Sequence, residues 1–400
     1  MDNISRVVST INSDGKLHIG HYHGLIKKWI DLQYEHECFF IISDINSLIL
    51  DFENTKEIKN KIYEMVIDWL SCGVDPTQVY IFAQSHVPQT KELYLLLSLI
   101  TPVSWLERVP SYKELIENYI HKDISTYGLL GYSLLKCTDI LLYNAKFVCS
   151  GEDHLFFVEL TREIARRFNH LYGREIGFED KAVEVIKKLG KKKSQIYLNL
   201  LQNYQQDGND DSLEKARYLL MDTLNLSIGE KSRLFAFLEN KGKVIFNEVN
   251  SIIGSNCKVI GTDGNKMSTN FNNAISLKES YDNISKKIKS METDPARIRL
   301  KDPGNPTKCP VWRLHEIYSN KEVLQWVDNG CRSAKIGCLD CKGPLIDSIN
   351  KEQLKFIENS KQYSKDYNLV KNILTDGAEK AIDIAENTIQ IVKKVMNINY

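Results

Sequence analysis

Short apolar runs bounded by polar turns recur through the first part of the chain, at Val7 to Ile11, Cys38 to Ser43, Val79 to Ala83 and Lys146 to Cys149. Runs of this length predict strands. Between them, apolar positions return every three or four residues near His18 to Tyr34, Thr55 to Ser71, Lys91 to Ile100 and Ser125 to Leu142, which predicts helices. Strand alternating with helix implies an α/β fold, a doubly wound, Rossmann-like parallel sheet with its ligands over the carboxyl ends of the strands. From Phe178 to Glu239 the pattern is helical, with breaks at Asp207 to Asp211 and Asn225 to Ile228, so three helices are expected. The strand pattern resumes at Lys243 to Phe246 and Lys258 to Thr262, and after Ile275 the chain reads as helical to Tyr400. The expected division is a sheet domain over 1–177, a helical insertion over 178–240, the rest of the sheet domain over 241–275 and a C-terminal helical domain over 276–400.

Composition narrows the functional classes. With 52 basic and 52 acidic side chains among 400 residues, the chain carries no net charge and cannot grip a polyanion by bulk charge. A nucleic-acid partner would need a local basic face, and the run Lys187 to Lys193 reads first as a solvated helix end. No apolar run reaches the ~18 residues that would cross a bilayer, and a soluble cytoplasmic protein with no membrane association is expected. Nine cysteines without a secretory leader argue against a disulfide framework.

Two polar segments carry the chemistry. Gly15-Lys16-Leu17-His18-Ile19-Gly20-His21 lies where the first strand pattern ends and the first helical pattern begins, so free N–H groups and two imidazoles can meet an anion. Asn265-Lys266-Met267-Ser268-Thr269-Asn270 puts a lysine in a polar, Gly-rich loop that could close over a triphosphate. There is no G-x-G-x-x-G, so the phosphate handling is not that of a dinucleotide oxidoreductase. A third feature is the spacing C-x21-C-x6-C-x2-C formed by Cys309, Cys331, Cys338 and Cys341, where the close pair lets two thiolates meet one metal centre. Zinc and an iron–sulfur cluster both accept four thiolates, and spacing alone separates them poorly. Cys38, Cys72, Cys137, Cys149 and Cys257 read as small apolar fillers.

The two polar segments, in this order, resemble the HIGH and KMSKS motifs of class I aminoacyl-tRNA synthetases. The chain is most similar to the tryptophanyl enzymes of that class, through Gln84 to Pro88, Trp105 to Lys113, Tyr127 to Tyr132, Gly151 to His154, Glu159 to Arg162 and Thr293 to Arg297. The resemblance spans nearly the whole chain, including an insertion found in a longer bacterial subgroup. It implies that ATP and an amino acid react to form an aminoacyl adenylate, which is then transferred to tRNA. In that reading His18 and His21 contact phosphates, Gly20 leaves room for adenine, and Gly151 and Asp153 hold the ribose. Lys113 and Lys266 take the pyrophosphate, while Met267 and Ser268 frame the nucleotide. Asp139 would accept an indole N–H within a pocket formed with Val8, Asn46, Tyr132, Lys136, Ser150 and His154. The resemblance further implies Mg2+ with the ATP, a homodimer, and a 4Fe-4S cluster rather than zinc on the four cysteines.

Several positions depart from the family pattern. Thr269 stands where a second lysine is usual and Asn270 where serine is usual, which removes one cation from the pyrophosphate. Asp14 adds a carboxylate beside the first motif. Asn46 replaces a histidine, Lys136 a methionine or glutamine, Ser150 a small apolar residue and His154 a glutamine. A lysine beside a bound indole must find an anion or reach water, and Asp139 is one candidate partner. These changes predict a paralogue with a retuned amino-acid pocket. The competing readings are an ordinary tryptophanyl enzyme and a catalytically silent tRNA-binding protein.

Overall fold

The computed structural model describes residues 5–13, 16–118, 125–151, 154–173, 178–240, 244–254 and 258–399. Five strands, β1 (Arg6–Asn12), β2 (Glu37–Ser43), β3 (Val79–Ala83), β4 (Phe147–Ser150) and β5 (Asn250–Ile253), form one parallel sheet in the order β3-β2-β1-β4-β5. Val7 faces Cys38 on one side and Phe147 on the other. The winding reverses beside β1, which opens the crevice between β1 and β4 where such sheets bind ligands. The near-continuous apolar runs follow from burial on both faces. Val7, Phe40 and Ile42 pack with Trp29 and Trp69 on one side, and Val8, Phe39 and Ile41 pack with Tyr143 and Phe168 on the other.

The first helical pattern is not one regular helix. Ile19–His21 and Lys27–Leu32 are α-helical, but Tyr22–Ile26 between them is a π turn, a widening common near functional sites. The fifth strand falls between the two segments expected to be strands. The N–H groups of Ile245 and Phe246 both donate to Asn169 Oδ1, and the Phe246 carbonyl accepts from Asn169 Nδ2, so side-chain bonds replace a ladder there. Around Ile260 only an isolated bridge to Lys266 forms. β5 itself is partly exposed, so its residues lack a buried strand's apolar run.

The insertion holds four helices, Phe178–Lys188, Lys191–Asp207, Asp210–Met221 and Ile228–Leu238, rather than three. Gly190, at φ +79°, makes the extra break inside the basic run, and Lys188 there pairs with Glu230 at 2.5 Å. The insertion has its own core around Tyr197, Ala216, Leu220 and Leu234.

The C-terminal helices share the core of the sheet. Leu345, Ile346, Ile349 and Phe356 of the helix Cys338–Ser364 join the Trp29 side. The last helix, Tyr367–Val395, belongs to both sides, with Val370 and Leu374 on the Trp29 side and Ala378, Ala381, Ala385 and Ile389 on the other. It passes around β3, the sheet edge, at Gly377. A Cβ at Gly377 would collide with the Ile81 carbonyl. Gly377→Val is therefore expected to cost about 1–3 kcal/mol, read as a lower urea midpoint at unchanged slope. A wild-type midpoint would show that the helix does not need this contact.

Candidate active site

The two polar segments meet through a short backbone ladder. The Ile19 N–H donates to the Ile275 carbonyl at 3.0 Å and the Leu277 N–H to the Leu17 carbonyl at 3.1 Å, with His18 opposite Ser276. Gln353 backs this junction: its Nε2 donates to the Ser276 carbonyl at 2.8 Å and its Oε1 accepts from the Glu279 N–H at 2.7 Å. The Lys266 segment is a hairpin in which the Met267 N–H donates to the Val259 carbonyl at 3.0 Å and Gly264 turns at φ +80°. Asn273 ties the hairpin down, accepting from the Ser268 N–H at 2.7 Å and donating to Asp263 at 2.8 Å and to the Lys266 carbonyl at 3.0 Å.

His18 and His21 stand together, with ring centroids 3.8 Å apart. The His18 N–H donates to His21 Nδ1 at 3.2 Å, which leaves the proton of a neutral His21 on Nε2. Burial, then His21, then Lys266 push His18 down to about 2, and burial followed by Lys266 pushes His21 down to about 4. Both rings are thus neutral donors at pH 7. The His18 ring lies against Gly20, where an added Cβ would sit 2.8 Å from Nδ1. Lys266 is exposed at the rim; the surrounding loop still lowers its pKa by desolvation, opposed by Glu114.

A cavity of about 500 Å³ lies over the carboxyl ends of β1 and β4, within the range of small-molecule sites. Its walls include His18, Gly20 and His21 from the first segment and Lys266, Met267 and Ser268 from the second. Val8, Tyr132, Lys136, Ser150, Gly151 and His154 complete the set of expected residues that reach it. Three expected residues do not. Lys113 is exposed on the helix Pro110–Asn118 and lies outside the lining. Asn46 and Asp139 are buried behind the wall, where Gln84 Nε2 donates to Asp139 at 2.7 Å and to Asn46 at 3.1 Å. Asp153, Asp14, Gly15 and Cys257 lie outside the described residues.

The expected pairing of Lys136 with Asp139 is not made. Lys136 Nζ instead donates to Asn12 Oδ1 at 2.9 Å, and Asn12 Nδ2 donates to the Tyr132 hydroxyl at 2.9 Å. Burial raises Asp139 to about 7, against the Gln84 hydrogen bond and Lys136, with Asp44 adding to the rise. His154 is exposed at the cavity mouth and stacks on Phe157; the surrounding protein, then Lys136, then His21 lower its basicity.

Sequence reading missed Asn12, Gln84, Asn273 and Glu352. Gln84 lay in a quoted segment but had no assigned role, and Asn12 and Asn273 are ordinary loop-type residues whose partners are distant in sequence. Glu352 accepts from the Tyr318 hydroxyl at 2.9 Å and meets His23 Nε2 at 3.0 Å, joining the helix Cys338–Ser364 to the turn after His21.

The four cysteines gather at the start of that helix. Burial first, and then Cys309, Cys331 and Cys338, push Cys341 up to about 12, so the thiols lie within electrostatic reach of one another. Arg297 Nη1 approaches Cys331 Sγ at 3.8 Å and His315 Nε2 approaches Cys341 Sγ at 3.5 Å. Among the described residues, no group of three or more His, Cys, Asp or Glu is arranged to hold a single metal ion. Cys38, Cys72, Cys137 and Cys149 are buried free thiols, as fillers should be. No described helix is long and apolar enough to cross a membrane.

Residues 2–207 and 227–352 match the family described as tRNA synthetases class I (W and Y). The tryptophan-tRNA ligase of Ralstonia nicotianae is 48% identical over 395 residues, 99% of each chain. That of Thermotoga maritima is 34% identical over 397 residues, 99% of this chain and 100% of its own. Among solved structures, the tryptophanyl-tRNA synthetase from Campylobacter jejuni, complexed with ADP and tryptophan, superposes with a TM-score of 0.71. It covers 98% of this chain and 99% of its own at 24% identity, a likeness of fold.

The depressed histidines set a pH dependence. An unfolded histidine titrates near 6.5, so between that value and the folded values of about 2 and 4 the unfolded chain binds more protons. Their contribution to stability is full above pH 6.5 and is lost as pH falls through this window. Asp139, raised to about 7 from 3.8, acts oppositely, with stability lost as pH rises between those values. A His18→Asn, His21→Asn double variant removes the first effect alone, and its urea midpoint should fall less steeply than the wild type's from pH 6.5 to 4. Parallel curves would mean the rings are not held neutral by the fold.

Proposed function

The chain belongs to the class I tRNA synthetases of the tryptophan and tyrosine type, and from that membership we propose that it joins tryptophan to tRNA at the expense of ATP, as a tryptophan-tRNA ligase. One observation carries the reading: the backbone ladder that brings His18, His21 and Lys266 around one cavity at the carboxyl ends of the strands. In the first step a tryptophan carboxylate oxygen attacks the α-phosphorus of ATP, the bond to the bridging oxygen breaks, and pyrophosphate leaves. A tRNA ribose hydroxyl then takes the aminoacyl group and AMP departs.

The protein's work is positioning and charge stabilisation. Neutral His18 and His21 donate to phosphate oxygens, and Lys266 follows the charge onto the leaving pyrophosphate. With Thr269 in place of a second lysine, Lys266 carries more of that task. Gly20 and Gly151 let the nucleotide approach the backbone, Met267 and Ser268 frame it, and Asp153 takes the ribose. Lys113 reaches the phosphates only with a movement of the helix Pro110–Asn118. Magnesium would be held chiefly through the phosphates. The amino acid lies among Val8, Tyr132, Ser150 and His154, with Asp139, Asn46 and Gln84 beneath. A ring N–H supplied there offers the buried carboxylate a donor in exchange for Gln84.

The narrower idea of a paralogue with a retuned pocket rests on Asn46, Lys136, Ser150 and His154, and an analogue panel tests it. The gathered histidines and lysine favour an active enzyme over a silent tRNA-binding protein. The same proposal assigns the C-terminal helices to the tRNA anticodon arm and the enzyme to the cytoplasm, where thiols stay reduced. A homodimer is supported by exposed Leu95, Leu99, Val103 and Tyr127 on neighbouring helices. A 4Fe-4S cluster is supported by the donor set, four thiols gathered beside Arg297 and Lys342, whose charges would offset its negative ligands.

ATP–pyrophosphate exchange tests the main reading. Tryptophan should support exchange, and Lys266→Ala should lower its kcat by about 100- to 1,000-fold. Exchange with an analogue but not tryptophan would favour the retuned pocket, and none with any amino acid would favour the silent one. For the cluster, anaerobically purified protein should carry about four irons per chain and a visible absorption that dithionite bleaches, both lost in Cys338→Ser. Iron-free protein that binds one zinc would overturn it.

A further inference from the structure

Among the described residues, Lys136 is the one lysine lining the cavity that is buried; it is 7% exposed, whereas Lys16 and Lys266 stand exposed at the rim. It sits on the helix Tyr127–Leu142 with Tyr132 one turn before it and Asp139 one turn after, so the three share a face. An ammonium group has three N–H donors. The bond to Asn12 Oδ1 uses one, and the rings of Tyr132 and Phe157, with centroids 5.5 and 6.0 Å away, add partial cation–π compensation. Among the described residues no ion pair to it is formed, and Asp139, one turn away, is held by Gln84 instead. A buried cation with a neutral partner is costly, and the cavity is the side from which an anion can come.

Position narrows which anion. Asn12 ends β1, immediately before the segment that carries His18 and His21. The field of Lys136 reaches His154, which also feels His21. Lys136, His18, His21 and His154 line one cavity, and Asp139, one turn from Lys136, is buried behind its wall with Gln84, so the ammonium shares the cavity with the histidines on one side and has the Asp139–Gln84 floor on the other. An amino acid with its ring on that floor directs its main-chain atoms past Lys136 toward the histidines, and the reacting anion at that height is its carboxylate. The exposed Lys16 and Lys266 suit the more hydrated phosphates at the rim.

We propose that Lys136 is the carboxylate receptor of the amino-acid site, a specificity-determining residue that holds one carboxylate oxygen while the other faces the α-phosphorus. The assignment rests on the ligase reading above and deepens it. Asn12 positions the ammonium, and Tyr132 positions Asn12. The charge pairing also lessens repulsion between the carboxylate and the phosphates it must approach.

The test compares L-tryptophan with tryptamine, which lacks the carboxylate, by calorimetric titration of the full-length protein, alongside exchange by the wild type. Lys136→Met should weaken tryptophan by about 10- to 100-fold while leaving tryptamine within about twofold. Asn12→Asp supplies a competing carboxylate to the ammonium without touching the lysine, and it should likewise weaken tryptophan selectively. Circular dichroism and the urea midpoint establish that each variant is folded, and if Lys136→Met is not, Asn12→Asp decides. Equal weakening of both ligands would reduce Lys136 to a packing role and overturn the proposal. An unchanged ratio with a raised KM for ATP would overturn it in favour of a phosphate contact. Absence of exchange by the wild type would instead sink the ligase reading, which keeps the two failures distinct.

Discussion

The site depends on two backbone hydrogen bonds that join residues 17–19 to residues 275–277. Each contributes only about 1 kcal/mol, and their importance lies in register. Ile275 and Leu277 are fully buried on the same side of this short extended segment, so a slip of one residue would turn both toward water. The apolar pair thus fixes where the hairpin begins, and the hairpin fixes Lys266. Gln353 and Glu352 are neighbours on one long helix, and the first holds Ser276 and Glu279 while the second meets His23 in the turn after His21. That helix begins at the cysteines. A Cβ added to Gly264 at the hairpin turn would press on Pro310, next to Cys309, so the cysteine region lies close to the lysine hairpin.

Burial decides the electrostatics more than pairing does. The histidines are neutral because water is excluded from them and Lys266 is near, and Asp139 is drawn toward neutrality for the same first reason. The cavity therefore presents uncharged imidazoles on its wall and positive charge at the rim and at Lys136. In the reaction proposed above, such an arrangement would favour charge that moves from a carboxylate toward a leaving pyrophosphate without holding the ground-state phosphates too tightly.

Much of this was legible in the sequence where the signal is local. The strands β1 to β4 announced themselves because both faces of the sheet are covered, and the two signature segments did so because their residue types are unusual at their spacing. β5 escaped because it is partly exposed, and its neighbours Ile245 and Phe246 looked like a strand although Asn169 satisfies their backbone. The fourth helix of the insertion was hidden by a single glycine within a basic run. Asn12, Gln84 and Asn273 carry no periodic signal at all; each matters through a partner far along the chain. For the same reason the types of Asp139 and Lys136 suggested an ion pair, whereas the fold gave each a neutral amide.

The path of the last helix around β3 bears on how the chain is made. Synthesis runs from the N-terminal side to the C-terminal side, so β1, β2 and β3 emerge long before Gly377 exists to cover Ile81. Throughout that interval the nascent chain carries an open sheet edge, the kind of surface that recruits other strands. Ribosomes that stall or terminate before the final helix would release chains that hold the histidine segment and the lysine hairpin, yet are prone to aggregate. Quality control during synthesis, rather than chemistry in the finished cavity, would then set how much enzyme a cell obtains from its message.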